Sequence, residues 1–220
     1  RRHAATTNFG GNKVHLCYGQ SVLVTAKPEG GKSYLTEGIT DSLVETYSGF
    51  RNVVAYRILF GERKDDSLGK GTIIINSSTT VDYQVYQLYY HITKAVRDAY
   101  NGNDVVIALD SLTRMVEVLT NKYSHSHMVS GGISSSVKNM VGRLFRMSGQ
   151  MGSGTLTIIG TCLWTRTNNS WKVVYSELSS IATAEYFPHI RSGVEDKSRR
   201  QPQDLNKVVK IFGKEIEMVK

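Results

Sequence analysis

Short apolar runs alternate with longer amphipathic segments along most of the chain. The runs predict strands at Val22–Thr25, Val53–Phe60, Thr72–Asn76, Val105–Leu109 and Thr155–Gly160. The segments between them predict helices at Ser33–Tyr47, Tyr83–Tyr100 and Ser135–Met147. Strands that alternate with helices indicate βαβ units and a mostly parallel sheet. We therefore predict an α/β domain whose functional side chains gather at the carboxyl ends of its strands.

The two ends of the chain are more polar than its middle. Residues 1–19 carry polar and glycine residues, which predicts an arm or linker. Residues 20–193 form the predicted core, and residues 194–220 a charged extension. Within the core, Thr161–Trp171 is predicted to be a loop because Asn168, Asn169 and Ser170 favour turns.

The composition of the chain limits the classes of protein to which it can belong. A net charge of +8 suits a polyanionic partner such as RNA, DNA or nucleotide. The two cysteines, Cys17 and Cys162, do not suggest a disulfide framework, so we expect a reducing compartment and a cytoplasmic location. No apolar run reaches 18 residues, so no membrane span is predicted. Because the chain starts at Arg1 without Met, we expect a piece of a longer protein that lacks an N-terminal domain.

A phosphate-binding loop is predicted directly after the first core strand. The stretch fits G-x-x-x-x-G-K-[ST], except that Ala26 takes the place of the first glycine. Backbone amides and a helix N-terminus would hold an anion here, with Lys32 at the outer phosphates and Ser33 on Mg²⁺. A surface turn is the alternative. The predicted nucleotide-binding residues are Ala26, Lys27, Pro28, Glu29, Gly30, Gly31, Lys32 and Ser33.

Two carboxylates follow other predicted strands. Asp110 ends a buried run in the form of a Walker B element, which predicts a Mg²⁺ site shared with Ser33; a helix N-cap is the alternative. Glu62 ends another strand and can polarise an attacking water, although a surface pair with Arg63 explains it equally well. Arg114 places a cation beside the predicted phosphates.

Other side chains suggest chemistry more weakly. Five tyrosines share one predicted helix: Tyr83, Tyr86, Tyr89, Tyr90 and Tyr100. Their helical spacing favours packing in the core and at its rim over a platform for stacking nucleic-acid bases. His125 and His127 lack a third metal ligand at a recognised spacing, so we expect loop histidines there.

These motifs together resemble one family. From about Gly19 to Gly193 the chain is similar to the C-terminal, RecA-like ATPase domain of the bacterial transcription termination factor Rho family. The similarity rests on Ala26–Ser33, Gly61-Glu62-Arg63, Val105–Arg114, Ser130-Gly131-Gly132, Gly154–Thr161, Phe187-Pro188 and Arg191-Ser192-Gly193. Gly61-Glu62-Arg63 and Leu109–Arg114 also resemble rotary and flagellar-export ATPases.

The resemblance implies a RecA-like P-loop NTPase fold and a hexameric ring that hydrolyses ATP with Mg²⁺. Such a ring pulls single-stranded RNA through its centre and terminates transcription, with RNA polymerase as a possible further partner. Glu62 is the implied catalytic carboxylate, with Lys32 and Arg114 at the phosphates. Two RNA-facing loops are implied at Val129–Ile133 and Arg166–Lys172; their predicted contacts are Val129, Ser130, Gly131, Gly132, Arg166 and Lys172.

The chain departs from the family pattern in three places. The helix after Glu62 is trimmed, and about a dozen residues that include a strand are missing between Glu177 and Phe187. Where the family has an arginine finger, this chain has Glu185 and Tyr186. Nucleotide binding is therefore expected. Ring-coupled hydrolysis is expected only if Arg191 substitutes for the arginine finger. Two alternatives remain: a rotary or export-type ATPase subunit with a protein partner, and a trimmed nucleotide-binding domain without turnover.

Overall fold

The computed structural model describes residues 4–9, 12–28, 30–47, 52–61, 72–123, 128–129, 132–165 and 170–188. Its strands are β1 Ala4–Phe9, β2 Asn12–Cys17, β3 Ser21–Ala26, β4 Val53–Phe60, β5 Thr72–Ile75, β6 Asp104–Asp110, β7 Met128–Val129, β8 Ile133–Ser134, β9 Gly149–Met151, β10 Gly154–Leu163 and β11 Ala184–Tyr186. Its helices are α1 Lys32–Tyr47, α2 Val81–Tyr100, α3 Leu112–Lys122, α4 Ser135–Arg146 and α5 Ser170–Ser179.

A seven-stranded sheet organises the described part of the chain. Six strands run side by side in the order β11-β3-β10-β6-β4-β5, and every neighbouring pair among them is parallel. The short β9 pairs with β10 in the antiparallel direction. The predicted α/β fold with a mostly parallel sheet is confirmed, and it is the RecA-like arrangement expected from the sequence.

The sheet separates two apolar layers because alternate side chains of a strand point to opposite faces. On β6, Val105, Ile107 and Leu109 pack into the layer that contains α2–α5, while Val106 and Ala108 pack against α1. Parallel strands that are covered on both faces are apolar throughout. This explains why the core of β6 reads as an unbroken apolar run.

Gly160 lets α3 approach β10 closely. A Cβ atom at this position would lie 2.4 Å from Leu112 Cδ1 and 2.7 Å from Phe145 Cζ. Because Gly160 has no side chain, the start of α3 can pack directly on β10, next to Thr161.

The prediction of an arm or linker at the N-terminus is wrong for its described residues. β1 and β2 form an antiparallel hairpin. Val14 and Leu16 of β2 are buried in the same layer as α1, and the Tyr18 hydroxyl donates to the Leu43 carbonyl at 2.5 Å. The polar residues that alternate with Val14 and Leu16 in the sequence hid this packing.

The predicted loop at Thr161–Trp171 is also shorter than expected. β10 continues to Leu163 because it pairs with β3 as far as Ala26, and α5 begins at Ser170. Between Glu177 and Phe187, where a strand is expected to be missing relative to the family, the structure has the short strand β11 at the edge of the sheet beside β3. The expected loss itself stays a prediction.

The tyrosines of α2 are predicted to pack in the core and at its rim, and the core part of that prediction is wrong. Between 42% and 69% of the surface of each tyrosine is exposed; the five are Tyr83, Tyr86, Tyr89, Tyr90 and Tyr100. The buried face of α2 is built instead from smaller residues: Gln84, Val85, Leu88, Ala95 and Ala99. Among the helices of the described ranges, none is long and apolar enough to cross a membrane.

Candidate functional site

Four parallel strands end at one edge of the sheet and bring the predicted motifs together. The register pairs Leu163 of β10 with Ala26 of β3, and Gly160 of β10 with Leu109 of β6. It also pairs Leu59 of β4 with Asp110 of β6. The phosphate loop, Asp110 and the end of β4 therefore share one edge, as the sequence predicts.

The loop after β3 turns back on itself before α1. The Gly30 amide donates to the Lys27 carbonyl at 3.0 Å, and a Cβ atom on Gly30 would lie 3.0 Å from that same carbonyl oxygen. Gly31 has a φ of +84°, a conformation that favours glycine. α1 begins at Lys32, and the Leu35 amide donates to the Gly31 carbonyl at 2.9 Å. Glu29 lies outside the described residues.

Asp110 is the centre of the site. Its residue is only 5% exposed, and its two carboxylate oxygens have different partners. Oδ2 accepts from the Ser33 hydroxyl at 2.5 Å. Oδ1 accepts from the Thr161 hydroxyl at 2.6 Å and lies 3.5 Å from Lys32 Nζ. The structure thus brings Lys32, Ser33 and Asp110 together.

Thr161 is a site residue that the sequence analysis missed. It is fully buried and follows the apolar run Thr155–Gly160 that forms β10. The signal was a hydroxyl residue at the end of a strand. That signal has meaning only when β10 is known to lie directly between β3 and β6.

Arg114, a residue of α3, reaches the end of β4 with its side chain. Its amide donates to the hydroxyl of Ser111, the N-cap of α3, at 3.3 Å. Its guanidinium donates through Nη1 to the Phe60 carbonyl at 2.9 Å. Gly61 follows with a φ of +69°. Arg114 therefore reaches the point where the chain leaves β4 towards Glu62, which lies outside the described residues.

An exposed tryptophan flanks the phosphate loop. The Trp164 amide donates to the Ala26 carbonyl at 2.8 Å, and Lys27 Nζ lies 5.1 Å from the centre of the Trp164 ring. Trp164 also contacts Trp171, with ring centres 5.7 Å apart. This geometry allows a cation–π interaction between Lys27 and Trp164.

Most of the two predicted RNA-facing loops cannot be placed. Ser130, Gly131 and Arg166 lie outside the described residues. The backbone of Val129 belongs to β7, and Gly132 has a φ of +74°. Lys172 is exposed on α5.

β11 includes Glu185 and Tyr186, the two residues at which the resemblance leads us to expect an arginine finger. Tyr186 is buried, and burial raises the pKa of its hydroxyl above the ordinary value. Glu185 accepts a hydrogen bond from the Tyr175 hydroxyl at 3.2 Å. Neither side chain supplies a cation. Arg191 lies outside the described residues.

The donors around Asp110 suit a hard divalent cation. A carboxylate and a hydroxyl are oxygen ligands of the kind that Mg²⁺ prefers, and Mg²⁺ usually takes only one or two protein ligands beside substrate phosphates. The part of the chain that the structure describes contains no cluster of three or more His, Cys, Asp or Glu residues able to hold a metal. The residues present therefore fit a nucleotide-bound Mg²⁺.

The curated proteins that the sequence matches include transcription termination factors named Rho. The chain is 29% identical over 175 residues to transcription termination factor Rho of Borreliella burgdorferi, covering 76% of this chain and 33% of the relative. It is 26% identical over 199 residues to Rho of Escherichia coli strain K12, covering 86% of this chain and 46% of the relative. The chain thus spans less than half the length of these relatives. No family model matches.

A solved structure supports the fold. An ATPase from the type III secretion system of pathogenic bacteria superposes with a TM-score of 0.66 at 21% identity, over 79% of this chain and 52% of that chain. The relatives above confirm the sequence resemblance to Rho, and this structure confirms the RecA-like α/β fold.

Proposed function

We propose that this chain is the ATP-hydrolysing motor domain of a Rho-type protein. It would bind ATP with Mg²⁺, work in the cytoplasm as a hexameric ring and move along single-stranded RNA to terminate transcription, with RNA polymerase as a further partner. The similarity to Rho and the fold of a P-loop ATPase support the nucleotide-binding part of this proposal. The observation that carries it is the cluster of Lys32, Ser33 and Asp110.

Each residue of the cluster has a distinct task. Asp110 is held by the Thr161 hydroxyl, so its carboxylate is oriented before any ligand arrives. Lys32 is 20% exposed at its side chain and pairs with Asp110, from which it can turn towards a phosphate. Ser33 and Asp110 would hold the metal ion. When bound between these two residues, Mg²⁺ would supply positive charge to the phosphates.

Two further residues are assigned to the reaction itself. Glu62 follows Gly61 at the end of β4 and would orient the attacking water. Arg114, anchored on the Phe60 carbonyl, would place its positive charge beside that water and the outer phosphate. The amides of the loop from Ala26 to Ser33 would complete the phosphate cradle.

A second candidate is a nucleotide-binding domain without turnover. It is favoured by β11, where Glu185 and the buried Tyr186 take the place of the arginine finger. Where such an arginine operates, it contributes about 10³–10⁵ in rate. A third candidate, an export-type ATPase with a protein partner, is favoured by the fold shared with the secretion ATPase.

ATP turnover with and without poly-C RNA separates these candidates. We expect RNA-stimulated hydrolysis in the wild type that is lost in Lys32→Ala. The matched control is Lys122→Ala, because Lys122 pairs with Asp82 at the surface and lies outside the site. RNA binding should also weaken steeply as salt is raised.

The other outcomes are equally clear. Turnover that RNA does not change would favour the export-type subunit. Binding of ATP and Mg²⁺ without turnover would favour the non-hydrolysing domain. If Lys32→Ala binds ATP as tightly as the wild type, the assignment of the phosphate loop is wrong.

A further inference from the structure

Three tyrosines form a row on the solvent side of α2. Tyr83, Tyr86 and Tyr90 follow one another at spacings of three and four residues, which places them on one face of the helix. Their exposed fractions are 52%, 60% and 51%. Single exposed aromatic residues are ordinary, but a contiguous row marks a surface that binds something. We call this row the tyrosine ladder.

The rings of the ladder are ordered by their mutual contacts. The ring centres of Tyr83 and Tyr86 lie 6.5 Å apart with planes at 31°, and those of Tyr86 and Tyr90 lie 6.3 Å apart with planes at 25°. Both distances fall within the range of interacting aromatic pairs. Rings that are already held in place lose less conformational entropy on binding, so the ladder is preorganised for flat partners.

The charges of α2 favour an anionic partner. The helix carries two acids, and both are engaged: Asp82 pairs with Lys122, and Asp98 accepts from the Tyr56 hydroxyl. Its cations Lys94 and Arg97 are exposed and follow the ladder along the helix. Lys94 Nζ lies 5.7 Å from the centre of the Tyr56 ring and keeps its charge at the surface. The exposed charge beside the rings is therefore positive.

We propose that the tyrosine ladder binds single-stranded nucleic acid by stacking on its bases, with Lys94 and Arg97 contacting the phosphates. Aromatic rings next to cations are the usual way in which proteins hold single strands without reading their sequence. From Tyr83 to Tyr90 the helix rises about 10 Å. That length matches about three bases at a spacing of about 3.4 Å.

This surface is separate from the phosphate loop and α1. α1, which follows the phosphate loop, packs on one face of the sheet through Leu35, Ile39 and Leu43. α2 packs on the other face through Val85 and Leu88. Binding to the ladder therefore needs no ATP, and the inference goes beyond the proposed function.

The test is binding of a fluorescein-labelled twelve-nucleotide oligo-U at low salt without nucleotide, measured by anisotropy. Tyr86→Ala should weaken binding about 5- to 150-fold, the range that corresponds to losing one base–aromatic stack. Tyr86→Phe keeps the ring and should bind like the wild type. Tyr100→Ala is the matched control, since Tyr100 is a 69% exposed tyrosine about 21 Å beyond Tyr86 on the same helix.

Additional measurements check the folding of the variant and locate the bound oligonucleotide. A thermal melt by circular dichroism should match between Tyr86→Ala and the wild type, because exposed substitutions change stability little. Oligo-dT replaces oligo-U in a second series, which shows whether the surface prefers RNA or DNA. A 4-thiouridine oligonucleotide should crosslink to the peptide that contains the ladder. Lys32→Ala should retain binding even if the proposed ATPase function fails.

Three outcomes would overturn the proposal. The first is an affinity of Tyr86→Ala within twofold of the wild type. The second is crosslinking that falls entirely outside α2. The third is loss of oligonucleotide binding in Lys32→Ala without nucleotide, which would place the contact at the phosphate loop.

Discussion

Replacing Thr161 with valine tests whether Asp110 is held ready for its role. The substitution keeps the shape of the side chain and removes only the hydroxyl that donates to Asp110 Oδ1 at 2.6 Å. A hydrogen bond to a charged group contributes about 1.5–3 kcal/mol. For a chain of 220 residues this loss corresponds to a melting temperature lower by about 3–12 °C.

Thr161→Val should also weaken binding of Mg²⁺ and nucleotide. Removing a group that orients a metal ligand typically costs about 10–100-fold in metal affinity. The assay is calorimetric titration of ADP with Mg²⁺, compared with ADP in EDTA. We expect the loss of affinity only when Mg²⁺ is present, because Thr161 acts through Asp110.

The chain contains its own matched control for this prediction. Thr155 at the other end of β10 donates to Asp104 of β6 at 2.7 Å, in the same cross-strand geometry. Thr155→Val should lower the melting temperature in the same manner while nucleotide affinity stays unchanged. The reasoning is refuted if both variants bind Mg²⁺ and ADP equally well, or if Thr161→Val melts like the wild type.

Two more predictions follow from single side chains. Trp171→Phe leaves Trp164 as the single tryptophan of the chain. Its fluorescence emission should change when nucleotide draws Lys27 away from the Trp164 ring, whose centre now lies 5.1 Å from Lys27 Nζ. Unchanged emission at saturating nucleotide would contradict that contact. Burial raises the pKa of Cys162 from 9.0 to about 12, so the folded state favours the neutral thiol, and its contribution to stability is complete below pH 9 and lost as pH rises towards 12. At pH 10 this loss amounts to about 1 kcal/mol. Urea unfolding at pH 8 and 10 should therefore show a smaller drop in stability for Cys162→Ala than for the wild type, and an equal drop in both proteins would contradict the prediction.

The sequence predicted the fold and the centre of the site because both depend on local signals. Strand runs, the glycine turn before Lys32 and the acid at the end of β6 are contiguous in the chain, and a parallel sheet brings strand ends to one edge. Thr161 was missed because its contact with Asp110 depends on which strand lies beside β6. Strand order is a long-range property that no short pattern contains.

The tyrosines of α2 show a different limit. Helical spacing identifies a face but does not say whether that face points inwards. The burial of Ala95 and Ala99 decides the question, because small residues let α2 lie close to the sheet and turn the large rings outwards. The residues of the two predicted RNA-facing loops that lie outside the described ranges stay predictions.

The β1–β2 hairpin determines where the domain can be cut. Val14, Leu16 and Tyr18 are buried in the same apolar cluster as Leu35, Ile39 and Leu43 of α1, and α1 is the helix that begins with Lys32. A shortened version that starts at Gly19 would remove the hairpin's part of this cluster and loosen the helix on which the phosphates are expected to rest. Expression trials should therefore keep the chain from at least Ala4 onwards.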